Sequence, residues 1–223
     1  MRESWPVVQV ALDLIKLGDA TRIARKASSA GIRWLEAGTP LIKSEGMKAV
    51  ETLSRSFPRN TVVADMKTLD AGKIECEMAF HAGAKVVSIS GLAHDSTVRD
   101  SVRTASKHNG ILMADLLMSA NPRKRARDLE KLGVNMICLH TGIDAQKSLH
   151  SRLKVGKTLR EVTQSLSVPV AAAGGVTPDV VTGLVGAGVK VIIVGGWITG
   201  SKDPAMASRQ IVQKLEKPAL QDP

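Results

Sequence analysis

Two hydrophobic patterns alternate along the chain. Short runs rich in Val, Ile and Ala predict buried strands, and the longer stretches between them repeat apolar residues with helical period. Because the short runs are apolar throughout, we expect burial on both faces, as in a parallel sheet covered by helices. The eight predicted strands are 7–12, 34–38, 61–66, 85–90, 111–117, 135–140, 168–174 and 189–196.

Proline and glycine mark the predicted helix boundaries. Pro122 and Pro178 suit a first helical turn, where a missing N–H costs nothing. A glycine precedes many strands, where a left-handed helix cap favours this residue: Gly31, Gly83, Gly110, Gly133 and Gly188. The predicted helices lie within 19–30, 44–56, 70–82, 96–108, 122–132 and 177–187. The longer and more basic stretch 144–165 is expected to hold a loop over the carboxyl ends of the strands.

Eight strand–helix units in this length predict an α/β fold, a single-domain (β/α)₈ TIM barrel. The phrases SAG-I, HAG-A, KLG-V and GAG-V recur before alternate strands and mark the joints of one architecture. A doubly wound open sheet is the alternative, but it does not require eight evenly spaced strands. We expect the barrel to span residues 1–216 and a short polar C-terminal tail to span 217–223.

Composition narrows the functional classes. The chain has 223 residues, 43% hydrophobic and 23% charged, as in a globular domain. Two cysteines exclude a disulfide-dense scaffold, and no run of about 18 apolar residues predicts a membrane span. The first residues, MRESWPVVQV, lack the pattern of a signal peptide, so we expect a cytoplasmic protein without membrane contact.

The net charge of +10 is compatible with nucleic acid, an anionic membrane or an acidic small substrate. Lys and Arg are spread along the chain, and aromatic residues make up only 2%, too few for base stacking. We therefore expect no nucleic-acid partner, although a basic binding protein on a barrel without activity remains the alternative from another class.

In TIM barrels the chemistry lies at the carboxyl ends of the strands. Charged or titratable residues stand at or just after five of these ends, and buried charges are costly unless they are paired or used. They are Asp13, Glu36, Asp65, Lys67, Asp70, Asp115 and His140.

Two glycine pairs end the last two strands, Gly174-Gly175 and Gly195-Gly196. Loops at these positions of a barrel often bind phosphate through backbone N–H groups, and glycine permits the close approach. The alternative is that they are ordinary turn residues. Two pairs at these two positions favour a phosphate site.

The segment Asp65-Met66-Lys67-Thr68-Leu69-Asp70 carries the sharpest local signal. Asp65 and Lys67 share one face of a strand, as an ion pair or as part of a site, and Asp70 is a site residue or a helix cap. Glu36 and Asp65 end adjacent strands, and carboxylates of this kind suit Mg²⁺. Otherwise Glu36 pairs with Lys67 or Lys43.

His140 ends strand six and is followed by Thr141-Gly142. A histidine here is able to move a proton near neutral pH, and the alternative is a packed, hydrogen-bonded histidine.

Together these motifs resemble the 3-hexulose-6-phosphate synthases of the orotidine 5′-monophosphate decarboxylase superfamily over about residues 7–212. The matching segments are VALD, LEAGTPLIKSEG, VADMKTLDAG, HTGID, AAAGGVTP and VGGWITG. Related 3-keto-L-gulonate-6-phosphate decarboxylases typically have Glu, Arg and Thr where this chain has Asp115, Ile143 and Ala173, so the synthase branch is favoured. Trp197 departs from both groups, which more often have Ala or Arg.

The resemblance implies a lyase of the ribulose monophosphate pathway. It would condense D-ribulose 5-phosphate with formaldehyde to D-arabino-hex-3-ulose 6-phosphate through a metal-stabilised enediolate. It also implies Mg²⁺ on Glu36 and Asp65, substrate hydroxyls on Asp13 and Lys67, and proton transfer at C1 by His140. Asp115 and the glycine pairs would bind substrate. In the family, Asp70 reaches the neighbouring subunit's site, so a homodimer is implied.

Overall fold

The computed structural model describes residues 5–142, 144–145 and 149–216. Eight parallel strands form a closed barrel in chain order, and β1 pairs with β8 to close it. The predicted (β/α)₈ barrel is therefore confirmed. The strands are β1 Val7–Leu12, β2 Trp34–Ala37, β3 Thr61–Thr68, β4 Val86–Ser90, β5 Ile111–Asp115, β6 Met136–His140, β7 Val170–Ala173 and β8 Val191–Val194.

Helices cover the outside of the barrel. They are α1 Leu17–Ser29, α2 Thr39–Glu45, α3 Lys48–Ser56, α4 Gly72–His81, α5 Asp95–Lys107, α6 Pro122–Lys131, α7 Leu149–Ser165, α8 Pro178–Gly186, α9 Gly196–Thr199 and α10 Pro204–Glu216. Most of the stretch 144–165 is α7, which the sequence did not predict, and the segment before α7, where the expected loop would lie, falls partly outside the described residues. The predicted tail, 217–223, lies outside the described residues.

Two apolar layers hold the barrel. One lies between the strands and the surrounding helices and includes fully buried Leu12, Leu35 and Ile137. The other fills the interior and includes Val63, Met136 and Trp34. Each buried side chain of this size contributes about 1.5–3 kcal/mol relative to exposure. Burial on both faces explains why the strands read as continuous apolar runs.

Helix caps mostly follow the sequence. Four of the five glycines expected to be left-handed have positive φ, namely Gly31, Gly83, Gly133 and Gly188. Before β5 the left-handed residue is Asn109 (φ 50°) instead of Gly110, since Asn also tolerates this conformation. Because the strands are parallel, these helix–strand joints leave the carboxyl ends of all eight strands at one rim of the barrel, where the polar residues collect.

Candidate active site

A cavity of about 850 Å³ opens at the carboxyl ends of the strands. The predicted site residues line it, with the exception of Asp70. They are Asp13, Glu36, Asp65, Lys67, Asp115, His140, Gly174, Gly175, Gly195 and Gly196. The structure thus brings together residues that are far apart in the chain, from Asp13 to Gly196. What each of them does remains a prediction.

Lys67 lies between two buried carboxylates. Its Nζ donates to Oδ2 of Asp65 at 2.8 Å and to Oδ2 of Asp115 at 2.7 Å. Burial alone would lower the pKa of Lys67, but these two carboxylates raise it above its ordinary value. Lys67 is therefore a fixed ammonium cation across the physiological pH range.

The backbone at Lys67 departs from a regular strand. Its φ is 47°, and the pairing of β3 with β4 shifts between Ala64 and Thr68, which marks a β-bulge. A left-handed conformation at a lysine is strained, and such strain collects at functional sites. Asp65 and Lys67 nevertheless both line the cavity and contact each other, as expected from their spacing.

Asp65 is held on both oxygens. Ser88 Oγ donates to its Oδ1 at 2.5 Å, and Thr39 Oγ1 donates to its Oδ2 at 2.8 Å. Ser88 is fully buried on β4, and Thr39 begins α2. Neither residue could be predicted from the sequence, because a single hydroxyl in a strand or at a helix start gives no distinctive signal.

Asp115 connects Lys67 to His140. Its Oδ2 lies 2.8 Å from Nδ1 of His140, and its Oδ1 accepts the backbone N–H of Leu117 at 2.9 Å. Burial alone would raise the pKa of Asp115, but the hydrogen bond and charge of His140, together with Lys67, lower it to about 2. An ionised carboxylate only accepts, so Nδ1 carries the proton and Nε2 of the neutral ring keeps its lone pair.

Three carboxylates, those of Asp13, Glu36 and Asp65, share one side of the cavity. Burial raises the pKa of Glu36 well above its ordinary value, and repulsion from Asp65 and Asp13 adds to the shift. Burial and repulsion from Asp65 likewise raise the pKa of Asp13. Glu36 and Asp13 are therefore each harder to ionise beside Asp65 than they would be in water.

Gln9 contacts Glu36, and this contact was not expected from the sequence. It is fully buried on β1, and its Nε2 donates to Oε2 of Glu36. The alternative to a metal site was an ion pair of Glu36 with Lys67 or Lys43. Among the described residues no such ion pair is found, and Lys67 pairs with Asp65 and Asp115 instead. A lone polar residue in the apolar run VVQVAL was the available signal.

The glycine loops form the part of the cavity wall that lies next to His140 and Asp13. Gly174 and Gly175 have φ of 101° and 68°, and a Cβ on Gly174 would overlap the carbonyl oxygen of Thr141. Only glycine fits this close approach without strain. Gly195 and Gly196 begin α9, so backbone N–H groups face the same wall.

Other positions extend or limit the site. Trp197 and Lys43 line the mouth, and the indole of Trp197 is 41% exposed. Asp70 is exposed in the loop before α4 and does not line this chain's cavity, and the N-cap of α4 is Ala71. Ile143, one of the predicted branch markers, lies outside the described residues.

Two further features of the described residues concern metal binding and membrane spans. No group of three or more His, Cys, Asp or Glu side chains there is arranged to hold a metal ion by itself. Among the helices of the described ranges, none is long and apolar enough to cross a membrane.

Comparison with known proteins places the chain among its relatives. The family model described as orotidine 5′-phosphate decarboxylase / HUMPS family matches residues 6–211. The chain is 34% identical over 209 residues to the 3-hexulose-6-phosphate synthase of Staphylococcus aureus (strain USA300), which covers 94% of this chain and 98% of that protein.

Solved structures agree with this placement. A crystal structure of a 3-hexulose-6-phosphate synthase matches with a TM-score of 0.89 and 34% identity, over 94% of this chain and 99% of that one. The 3-keto-L-gulonate-6-phosphate decarboxylase of Vibrio cholerae matches with a TM-score of 0.83 and 27% identity, over 96% and 98%. The chain therefore belongs to the orotidine 5′-phosphate decarboxylase / HUMPS family.

Proposed function

We propose that this protein is a Mg²⁺-dependent aldolase that reversibly condenses D-ribulose 5-phosphate with formaldehyde to D-arabino-hex-3-ulose 6-phosphate. The observation that carries the proposal is the unbroken series of contacts from Asp65 through Lys67 and Asp115 to His140. Such a series places a fixed cation and a proton carrier in one cavity. The 34% identity to a protein named 3-hexulose-6-phosphate synthase supports the choice of substrates.

The substrate phosphate would lie against the glycine wall. Gly174, Gly175, Gly195 and Gly196 line the cavity, and a helix begins at Gly196. Backbone N–H groups that have no carbonyl partner are suited to bind anions. This arrangement would direct the reacting end of the ketose toward the acidic side of the cavity.

His140 would move the proton at C1. Asp115 accepts the Nδ1 proton, which leaves Nε2 as the basic nitrogen, and the ionised Asp115 stabilises the imidazolium that forms. Lys67 would place its positive charge beside the substrate oxygens that become negative, and Asp13 and Lys67 would hold substrate hydroxyls.

The acidic side of the cavity fits a hard divalent cation. Glu36 has one carboxylate oxygen without a hydrogen-bond donor in the described part of the chain, and Asp13 and Asp65 repel it. Mg²⁺ prefers carboxylate oxygens and retains several waters, so it does not need three protein side chains. Glu36 and Asp65 would hold it, and when bound it would act as a Lewis acid on substrate oxygens.

A homodimer would complete the site with Asp70. The loops after β3, β4 and β5 and the adjacent face of α4 expose a group of apolar side chains, and Asp70 stands among them. Exposed apolar groups beside a polar residue are typical of interfaces between chains. We call this group the apolar rim; it consists of Leu69, Ile74, Met78, Leu92 and Met118.

The alternative activity is decarboxylation of 3-keto-L-gulonate 6-phosphate. The similarity to the Vibrio cholerae decarboxylase favours it, at 27% identity. Against it, Ala173 offers no hydroxyl at the cavity wall, and Asp115 is already engaged by Lys67 and His140. We therefore place this activity second.

Exchange of the C1 proton tests the proposal without formaldehyde. D-ribulose 5-phosphate is incubated with the protein in D₂O with Mg²⁺, and loss of one C1 proton signal is followed by NMR. The aldolase is expected to exchange one of the two C1 protons stereospecifically, and EDTA should stop the exchange. No exchange in folded, Mg²⁺-loaded protein would refute the assignment.

A further inference from the structure

Gln9 is a buried polar residue in an apolar setting. It is fully buried, and its register partners on the neighbouring strands, Trp34 and Ile193, belong to the apolar cluster inside the barrel. An amide in such a place is costly unless its hydrogen bonds are satisfied. An apolar residue would fill the same space without that cost, so the amide calls for an explanation beyond packing.

The contacts of Gln9 lead to one residue. Its Nε2 donates to Oε2 of Glu36, and no protein atom in the described ranges lies within hydrogen-bond distance of its Oε1. The NH₂ group is therefore the half of the amide that hydrogen-bonds to protein in the described ranges. That half serves Glu36 alone.

Glu36 has no other support of this kind. Asp65 is held by Lys67, Thr39 and Ser88, whereas within the described residues Glu36 receives a side-chain hydrogen bond from Gln9 alone. Its neighbours on the same side of the cavity, Asp13 and Asp65, are acidic and repel it. Without Gln9, a carboxylate on the short strand β2 would be free to rotate about its terminal bonds.

We infer that Gln9 is a positioning residue: it fixes one oxygen of the Glu36 carboxylate from below, so that the other oxygen faces the cavity and a divalent cation. The inference rests on the metal site of the proposed function. Hydrogen bonds behind a metal ligand typically contribute 10–100-fold to metal affinity.

Binding of Mn²⁺ alone tests the inference in a way that does not depend on turnover. The free-metal concentration is followed by electron paramagnetic resonance with wild type, Gln9→Met and the control Met136→Leu. Met136 is also buried inside the barrel but lies outside the cavity lining. We expect Gln9→Met to raise the Mn²⁺ dissociation constant about 10–100-fold, while its melting temperature stays near that of the control.

Each result has a defined meaning. Unchanged Mn²⁺ affinity in folded Gln9→Met, with a wild type that binds Mn²⁺, overturns the role of Gln9 and leaves the proposed function intact. A wild type that binds no Mn²⁺ overturns the metal site itself. If Gln9→Met does not fold, Gln9→Asn replaces it, because the shorter amide stays polar but does not reach Glu36. The same loss of affinity is then expected.

Discussion

At the scale of single residues, the contacts of Lys67, Asp115 and His140 define what each group is able to do. Lys67 is held by two carboxylates, so it acts as a fixed charge and not as a proton carrier. His140 contacts a single carboxylate through Nδ1, so its other nitrogen remains available for proton transfer. The contacts therefore suit Lys67 and His140 to different roles.

Replacement of His140 by Asn separates chemistry from binding. Asn cannot accept the C1 proton, so exchange and turnover should fall about 10²–10⁴-fold. Affinity for inorganic phosphate should stay near that of wild type, because the glycine loops would bind phosphate through backbone N–H groups and not through the imidazole. Exchange is measured by NMR in D₂O and phosphate affinity by calorimetry. Exchange at the wild-type rate would remove His140 from the mechanism.

Replacement of Glu36 by Gln should stabilise the metal-free protein. The folded-state pKa of Glu36 is raised, so its ionisation destabilises the fold progressively as the pH rises above 4.5 toward that higher pKa. The amide removes this penalty, and we expect a gain of about 1 kcal/mol, or roughly 2–4 °C, at pH 8 in EDTA. The gain should shrink toward pH 4.5.

Thermal unfolding of both proteins across this pH range checks the prediction. A variant that is less stable than wild type at every pH would show that the ionised Glu36 carries no net penalty. The same variant should lose Mn²⁺ binding, so that stability and metal affinity change in opposite directions.

At the scale of elements, periodicity predicts strands better than connections. The eight strands are found close to their predicted positions, because apolar runs buried on both faces leave a clear signal. Helix α7 was missed, since its stretch is basic and its period is weak. The bulge at Lys67 was also missed, because it depends on the pairing of β3 with β4, which is not a local property of the sequence.

The site shows the same division. Residues at strand ends could be predicted, since the barrel brings all eight ends to one rim. Gln9, Thr39 and Ser88 could not, because their importance lies in which carboxylate each contacts. Sequence reasoning finds the groups that carry charge, and the structure finds those that hold them.

The loop after β7 offers a prediction at this scale. Gly174→Ala would place a Cβ against the carbonyl of Thr141 at φ of 101° and should cost about 1–3 kcal/mol, with weaker phosphate binding. Gly183→Ala is the matched control, because its Cβ meets nothing within 4 Å and lies within α8, where alanine is favoured. Melting temperatures and phosphate calorimetry measure both. Equal behaviour of the two variants would refute the close-approach argument.

At the scale of the whole molecule, charge and oligomeric state would shape the proposed reaction. The chain carries a net charge of +10, yet Asp13, Glu36, Asp65 and Asp115 line the cavity. The overall positive field would draw the proposed sugar phosphate toward the protein, while the acidic side chains of the cavity would suit a divalent cation. The apolar rim around Asp70 provides the surface on which a second copy would dock.

Mixing two inactive variants tests the shared site. Asp70→Ala and His140→Asn should each be inactive, and both should be dimers. After unfolding and refolding of an equal mixture, half of the dimers are hybrids, and each hybrid has one complete site. About a quarter of wild-type activity should therefore return. Hybrid dimers that show no activity would mean that Asp70 does not act across the interface.

The most direct test of the account is formaldehyde consumption in the presence of D-ribulose 5-phosphate, with Mg²⁺ and with EDTA. The proposed aldolase predicts rapid loss of formaldehyde that yields a hexulose phosphate with Mg²⁺ and stops in EDTA. No loss by folded protein with Mg²⁺, together with CO₂ release from 3-keto-L-gulonate 6-phosphate, would contradict the account and establish the decarboxylase instead.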